Sequence, residues 1–351
     1  MKAHNVLVTA VGGNVGQGVL KSLRAGKRRF RTVGVDMEPL SAGFMMCDAS
    51  YSVPRTGAAD FLATLGHILV KERIEAIYVC SPPELEFFSS QKDTIEQQFG
   101  ATVIVNPPHV VQIGSDKLAT ATFLREAGLP YPETCLATDV AAVDALIRRC
   151  GFPLIVKPRK GASSRNVFTV NSLEQLQAAR ILIPELVVQE FLPDAGQEYT
   201  AATLSGRDRR VRAIIVLHRD LIQGTTYRTE LVEDAKLDAT LIEIVEKLGA
   251  EGACNAQFRM RDGQPCVFEF NPRFSGTSGI RYRYGFNDAE MAFELLRLGL
   301  EVRQPKLQPA VVLRLWDEVV IPGASFANLR NDSDGSRTLG NLRQVPAQKS
   351  A

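Results

Sequence analysis

Two hydrophobic rhythms divide the chain. Through the first 107 residues, short apolar runs alternate with stretches of helical period. The runs at 5–9, 32–36, 76–80 and 102–105 read as buried strands, and the amphipathic stretches at 14–25, 61–71 and 83–98 read as helices. Strands alternating with helices predict a doubly wound parallel sheet, the α/β class. Asn106-Pro107-Pro108 interrupts this rhythm and marks a boundary.

Beyond the boundary the grammar changes. A helix is expected over 115–127, with Ser115 as its N-cap and Gly128 at its end. Leu129-Pro130-Tyr131-Pro132 follows as a rigid turn. Short strands at 153–157, 167–170 and 186–190 surround helices at 140–149 and 173–181. Longer strands follow at 198–204, 211–218, 253–260 and 265–271, flanked by helices at 237–248 and 288–298. Successive strands with helices to one side predict an α+β region. The last thirty residues, rich in Asn, Asp, Ser and Gly, lack a clear period and read as a loosely ordered tail.

Composition narrows the classes. A chain of 351 residues with 45% hydrophobic content can build two or three domains. The formal net charge of +2 gives no global attraction to nucleic acid or to an anionic membrane, so any anion site must be local. The six cysteines form no C-x-x-C pair and several sit in apolar runs, as expected for reduced thiols. The four histidines lack metal-ligand spacing. No leader and no membrane-spanning run is read from the sequence, and a cytoplasmic enzyme is expected.

The chemistry-bearing residues concentrate in the second half. Glu269 and Asn271 lie two apart at the end of an apolar strand and therefore share a face. Both can offer oxygen to a hard cation such as Mg²⁺. Pro272 turns the chain, and Arg273 offers a planar donor fork to a phosphate. Asn255 and Gln257 repeat the two-residue spacing on the preceding strand, and pairing of the strands would set Gln257 beside Glu269. Burying so many polar groups is costly unless something satisfies them. Lys157 ends another apolar strand, and a polar loop with Ser163 and Ser164 follows it. A lysine together with backbone amides suits a polyphosphate. Gln189, Glu190, Phe191 and Leu192 form a strand running into a connector, with Glu198 just beyond.

In the first half, Val11-Gly12-Gly13-Asn14-Val15-Gly16-Gln17-Gly18 joins a strand to a helix, and Asp36 ends the next strand. That layout fits either a dinucleotide site or a tight turn bordering a substrate through Gly13. Glu84, just past a parallel strand, and Arg281 and Arg283, past the metal-type strand, are further substrate candidates. Each also has a plain structural reading, as a helix first-turn acid or as solvated cations.

The ordered set Lys117, Lys157-Pro158, the Ser/Gly loop, Gln189-Glu190-Phe191-Leu192, Glu198, Asn255-x-Gln257 and Glu269-x-Asn271-Pro272-Arg273 resembles the ATP-grasp superfamily. Within it, the chain is similar to the stand-alone ligases related to carbamoyl phosphate synthase. The resemblance spans about residues 5–300. It implies a pre-ATP-grasp domain of Rossmann type (1–107), linker helices and a small lid subdomain (108–192), a C-terminal ATP-grasp subdomain (193–302), and a strand with a loose tail (303–351). It implies that Lys117, Lys157, Ser163 and Ser164 contact ATP phosphates. Gln189 to Leu192 would form the adenine hinge, and Glu198 would hold the ribose. Gln257, Glu269 and Asn271 would bind Mg²⁺, with Mn²⁺ as a substitute. Arg273 would act with Lys157 at the transferring phosphoryl group. His218 to Thr226 resembles a basic loop over the phosphates, with Arg219 its candidate and Arg228 a weaker one. Asn166 stands where the lid loop often has glycine.

The activity so implied is ATP-dependent joining of a carboxylate to an amine or another nucleophile through an acyl phosphate, forming ADP. Its partners would be small molecules, with neither nucleic acid nor membrane, and a homodimer is compatible with it. Two rival readings are a nucleotide-binding sensor without ligase activity and a nicotinamide-dependent oxidoreductase built on Gly12 to Gly18 and Asp36.

Overall fold

The computed structural model describes residues 3–161, 166–193, 198–316 and 318–320. Two compact units form: one from residues 1–105 and 273–307 with the described residues from 314 on, the other from 106–272 and 308–313.

In the first unit, five parallel strands make one sheet. They are β1 (His4–Thr9), β2 (Phe30–Asp36), β3 (Ala49–Ser52), β4 (Ala76–Tyr78) and β5 (Thr102–Ile104), in the order β3-β2-β1-β4-β5. Helices α1 (Asn14–Ala25), α2 (Phe61–Lys71), α3 (Pro82–Ser90) and α4 (Lys92–Phe99) connect them. The α/β expectation holds, with two adjustments. The helix expected over 83–98 breaks at Gln91, and β3 was not anticipated, because Ala49-Ser50-Tyr51-Ser52 offers small and polar residues rather than an apolar run. Residues Val6, Leu7, Val8 and Ile77 are completely buried at the centre of the sheet.

Residues 273–307 belong to this unit. Helix Ser278–Arg281 crosses α1 at Gly18, where a Cβ would lie 3.0 Å from the backbone nitrogen of Gly279. Tyr78 Oη donates to the carbonyl of Ala289 at 2.9 Å. The helix expected over 288–298 is α-helical at Asp288–Ala292 and widens into a π turn at Phe293–Arg297.

The second unit begins with helices α5 (Pro108–Ser115) and α6 (Lys117–Glu126). Asp116, rather than Ser115, caps α6: its carboxylate accepts from the N–H groups of Leu118 and Ala119. Strand β6 (Thr134–Leu136), helix α7 (Val140–Cys150), β7 (Leu154–Pro158), β8 (Phe168–Val170), α8 (Leu173–Leu182) and β9 (Leu186–Glu190) follow. Their four strands form an antiparallel sheet ordered β6-β9-β7-β8, backed by a core that includes Val143, Leu146, Leu154, Val156 and Leu176.

Strands β10 (Glu198–Ser205), β11 (Val211–Ile222) and β12 (Thr225–Val232), helix α9 (Ala235–Leu248), and strands β13 (Gly252–Arg261), β14 (Gln264–Asn271) and β15 (Val311–Leu313) complete the unit. The six strands form an antiparallel sheet ordered β14-β13-β10-β11-β12-β15. Residues Leu241, Ile244 and Val245 of α9 and Leu124 of α6 pack on its apolar face with Phe258 and Phe270. The basic loop expected at His218 to Thr226 is instead a β-hairpin. Strands β11 and β12 pair through it and turn at Gln223-Gly224, both with positive φ. A two-residue turn with φ > 0 at both positions matches the twist of the strands it joins. The tail from 321 onward lies outside the described residues.

Candidate active site

Register in the six-stranded sheet assembles the polar strand residues. Gln257 pairs directly with Glu269, and Asn255 with Asn271, so all four lie on one face of two adjacent strands. Asn271 Nδ2 donates to Glu269 Oε1 at 2.8 Å, and Thr200 Oγ1 donates to Asn255 Oδ1 at 2.8 Å. The donor set around Glu269 is one carboxylate and two carboxamides, all hard oxygen ligands. Among the described residues no three His, Cys, Asp or Glu side chains gather as a metal cage. A single carboxylate with amide oxygens fits Mg²⁺, which takes one or two protein carboxylates and completes its shell with water and substrate phosphate.

Two lysines face this carboxylate from the lid side. Lys157, on β7, is 5% exposed. Burial pushes its ammonium down to about 8; the charge of Glu269 opposes that, while Lys117 and Arg259 add to it. Lys117 is also lowered, chiefly by burial, against the pull of Glu269 and Asp116. Its place is fixed by its neighbours: Asp116 binds the guanidinium of Arg159 at 2.7 Å, and Lys117 N–H donates to the carbonyl of Arg159 at 3.0 Å. Lys117 Nζ donates to the carbonyl of Gly161 at 3.0 Å.

Gln189 holds the second lysine. Lys157 Nζ donates to Gln189 Oε1 at 2.8 Å, and Gln189 Nε2 donates to Thr134 Oγ1 at 2.8 Å. Thr134 spends its own proton on the carbonyl of Pro132 at 2.8 Å, so its oxygen is left to accept. That chain dictates which end of the Gln189 amide meets the lysine. The Glu190 carboxylate is engaged by Arg261 at 2.8 Å and by the N–H of Glu133 at 3.0 Å, which ties down the end of β9. Phe191 is partly exposed and Leu192 buried. Ser163 and Ser164 lie outside the described residues.

Glu198 opens β10 between two arginines. Arg219, on β11, donates to its Oε1 at 2.5 Å, and Arg259, on β13, approaches its Oε2 at 3.4 Å. Arg219 is therefore a buried strand residue, not part of a loop, and it also donates to Thr226 Oγ1 at 3.3 Å. Arg228 pairs with Asp220 and Glu230 on the exposed side of the hairpin. Arg259 was not singled out from sequence. Its position two residues after Gln257 was the signal that could have found it.

In the first unit the glycine loop is largely self-satisfied. Asp36 Oδ2 accepts from Gly12 N–H at 2.7 Å and Oδ1 from Glu38 N–H at 2.9 Å. A Cβ on Gly12 would lie 2.5 Å from Ser41 Oγ, and one on Gly16 would lie 2.6 Å from the carbonyl of Ala10. These glycines admit the protein's own groups, which is the tight-turn reading. The acid that an oxidoreductase would aim at a ribose is committed to its own loop. Gly13 caps α1 and is exposed. Glu84 accepts from Thr9 Oγ1 at 2.5 Å, and burial, helped by the charge of Asp36, raises its carboxyl to about 7. Arg281, a substrate candidate from sequence, is 1% exposed and sealed in an ion pair with Asp288 at 2.9 Å, with Ser275 Oγ at 2.8 Å. Its charge is consumed inside the fold. Arg283 is exposed and stacks over Tyr282. Arg273 donates to the carbonyl of Phe274 at 2.7 Å, and its positive charge is felt at Cys80.

A doubly wound N-terminal sheet, a four-stranded antiparallel sheet carrying Lys157, a helix that starts at Lys117, and a six-stranded antiparallel sheet carrying the Glu-x-Asn strand agree with the architecture expected of the ATP-grasp class. The chain carries an ATP-grasp domain, matched over residues 114–277, joined to a PylC-like N-terminal domain, matched over 6–104. It is homologous to the carbamoyl phosphate synthase large chain. The Deinococcus radiodurans protein is 27% identical over 196 residues, which is 51% of this chain and 19% of that one. A D-alanine–D-alanine ligase of Acidovorax ebreus is 27% identical over 203 residues, 48% of this chain and 60% of the ligase. This chain thus spans less than two thirds of these relatives. Among solved structures, N5-carboxyaminoimidazole synthetase from Staphylococcus aureus, complexed with ADP, superposes with a TM-score of 0.71 at 17% identity, over 90% of this chain and 83% of that one. Such similarity speaks for the fold.

Proposed function

We propose that the chain is a Mg²⁺-dependent, ADP-forming ligase that activates a small carboxylate as an acyl phosphate and passes it to an amine or another nucleophile. The observation that carries this reading is the gathering of Lys117 and Lys157 within the field of Glu269, itself paired across strands with Gln257. A buried Lys157 and a partly buried Lys117 beside the Glu269 carboxylate place positive charge where desolvation makes it costly, and a bound polyphosphate would offset that cost.

Gln257, Glu269 and Asn271 would hold Mg²⁺, or Mn²⁺ in its place. The metal, when bound, supplies charge neutralisation between neighbouring phosphates. Lys157, oriented by Gln189, and Lys117 would grip phosphate oxygens. Glu198 would take the ribose hydroxyls, and the backbone of Gln189 to Leu192 the adenine edge. Ser163 and Ser164 would contribute phosphate contacts. Arg273 would steady the transferring phosphoryl group and the acyl phosphate, because phosphoryl transfer is accelerated by positioning and charge neutralisation. Gly13, exposed at the start of α1, would border the acceptor substrate. The enzyme would work in the cytoplasm on small molecules, as a monomer or homodimer. The described cysteines are all unpaired, in keeping with a reducing compartment. Among the described residues no helix is long and apolar enough to cross a membrane.

Release of ADP and phosphate from Mg-ATP, assayed against pools of amino acids, small carboxylates and sugar acids with a Glu269→Ala control, tests the proposal. Release that depends on one pool and on Glu269 supports it. ATP binding without release from any pool would favour the sensor.

A further inference from the structure

Three neighbouring strands bring Arg219, Glu198 and Arg259 into a row. Glu198 pairs with Arg219 across β10 and β11. Continued by one step past Tyr199–Phe258, the register of β10 with β13 sets Glu198 opposite Arg259. The two carboxylate oxygens are divided, Oε1 to Arg219 and Oε2 to Arg259. Arg259 also reaches in a second direction: its Nη1 donates to the backbone carbonyl of Leu192 at 2.8 Å. One guanidinium thus ties the residue that ends the hinge to the carboxylate that opens β10. Its charge also reaches Lys157. Arg259 is only about one fifth exposed, so these bonds form with little competition from water.

We propose that Arg259 is a positioning residue for sugar recognition: it locks the Glu198 carboxylate to the hinge so that the carboxylate is held ready for the two ribose hydroxyls of the nucleotide. This rests on reading the second unit as an ATP site. The accounting of lone pairs supports it. A carboxylate can accept about four hydrogen bonds. Arg219 and Arg259 take one on each oxygen, which leaves one on each oxygen for a vicinal diol. A planar guanidinium fork suits this task because it fixes direction at two acceptors at once, whereas a lysine ammonium does not. Without Arg259 the carboxylate keeps Arg219 but loses its tie to Leu192, and its free oxygen can rotate away from a diol.

The test is calorimetric titration of the full-length chain with Mg-ATP and with Mg-2′-deoxy-ATP, in the unaltered protein, Arg259→Met and Arg259→Lys. The unaltered chain should favour ATP by roughly tenfold, as expected for a hydrogen bond to a charged acceptor. Arg259→Met should weaken ATP by about that factor and leave 2′-deoxy-ATP nearly unchanged, which collapses the ratio. Arg259→Lys should lie between and guards against a misfolded Met variant, with thermal melting as the check on both. Equal weakening of both nucleotides, or an undiminished ratio in either folded variant, would overturn the proposal while leaving the ATP site standing. An unaltered chain that binds neither nucleotide would overturn the ATP-site reading and this inference together.

Discussion

The two units use buried charge in opposite ways. In the first, charges at the end of the parallel sheet and around it are answered locally: Asp36 by the loop amides of Gly12 and Glu38, Arg281 by Asp288, Glu84 by the Thr9 hydroxyl. In the second, Lys117, Lys157, Arg219 and Arg259 gather around Glu198 and Glu269, four cations against two anions. Positive charge in excess of the carboxylates, with Lys157 and Arg219 buried, is an unfinished arrangement that a polyphosphate would complete. Self-satisfied polar groups near a glycine loop indicate scaffolding, even when their sequence spacing suggests a nucleotide. Unbalanced ones indicate a site.

Four substitutions or titrations sharpen that contrast. Removing the carboxylate proposed to hold the metal should have the largest effect: Glu269→Ala should cut phosphate release by roughly 10³-fold with an unchanged circular dichroism spectrum. Retained turnover would break the assignment of the second unit. Arg281→Ala should instead cost stability, about 3 kcal/mol in denaturant unfolding, because Asp288 is left charged and buried. Full stability with lost activity would return Arg281 to the substrate site.

A third effect concerns protons. Lys157 titrates near 8 in the folded chain and near 10.5 when unfolded. Its burial therefore weighs fully against folding below pH 8 and is relieved as pH rises from 8 toward 10.5, where the unfolded chain holds more protons. A phosphate beside it restores the charge. ATP binding at pH 8.5 should therefore take up as much as about one proton, read from calorimetry in buffers of different ionisation enthalpy, with little uptake at pH 6.5. Lys157→Met should abolish the uptake. The smallest effect belongs to the first unit. The Glu84 carboxyl, raised from 4.5 to about 7, contributes stability that is complete below pH 4.5 and is lost as pH rises through 7. Glu84→Gln should flatten the pH dependence of unfolding over that range. An unchanged slope would mean that the carboxyl is not desolvated as described.

Much of this was legible in the chain. Helices α1 and α2 begin and end where their apolar period does, and β9 occupies the run expected for it. The two-residue spacings of Asn255-x-Gln257 and Glu269-x-Asn271 carried their shared face, since side chains alternate along any strand. Less legible was anything set by a partner distant in sequence. His218 to Thr226 looked like a loop because its polar residues mask a strand, and only pairing with β10 makes Arg219 a buried partner of Glu198. Arg281 looked solvated until Asp288 and Ser275 enclosed it.

The sequence by itself determined the alternation of strands and helices, the change of grammar after Pro107-Pro108, and the polar pairs at the end of the metal-type strand. These follow from local periodicity, which each segment carries with it. The tertiary structure alone decided which charges are answered and which are left over. It joined 273–307 to the N-terminal sheet, turned the Gln189 amide toward Lys157 through Thr134, and set Arg259 between Leu192 and Glu198. The physical reason is range: periodicity is read within one turn or one strand, whereas burial and ion pairing depend on residues tens of positions apart that only folding brings within a few ångströms.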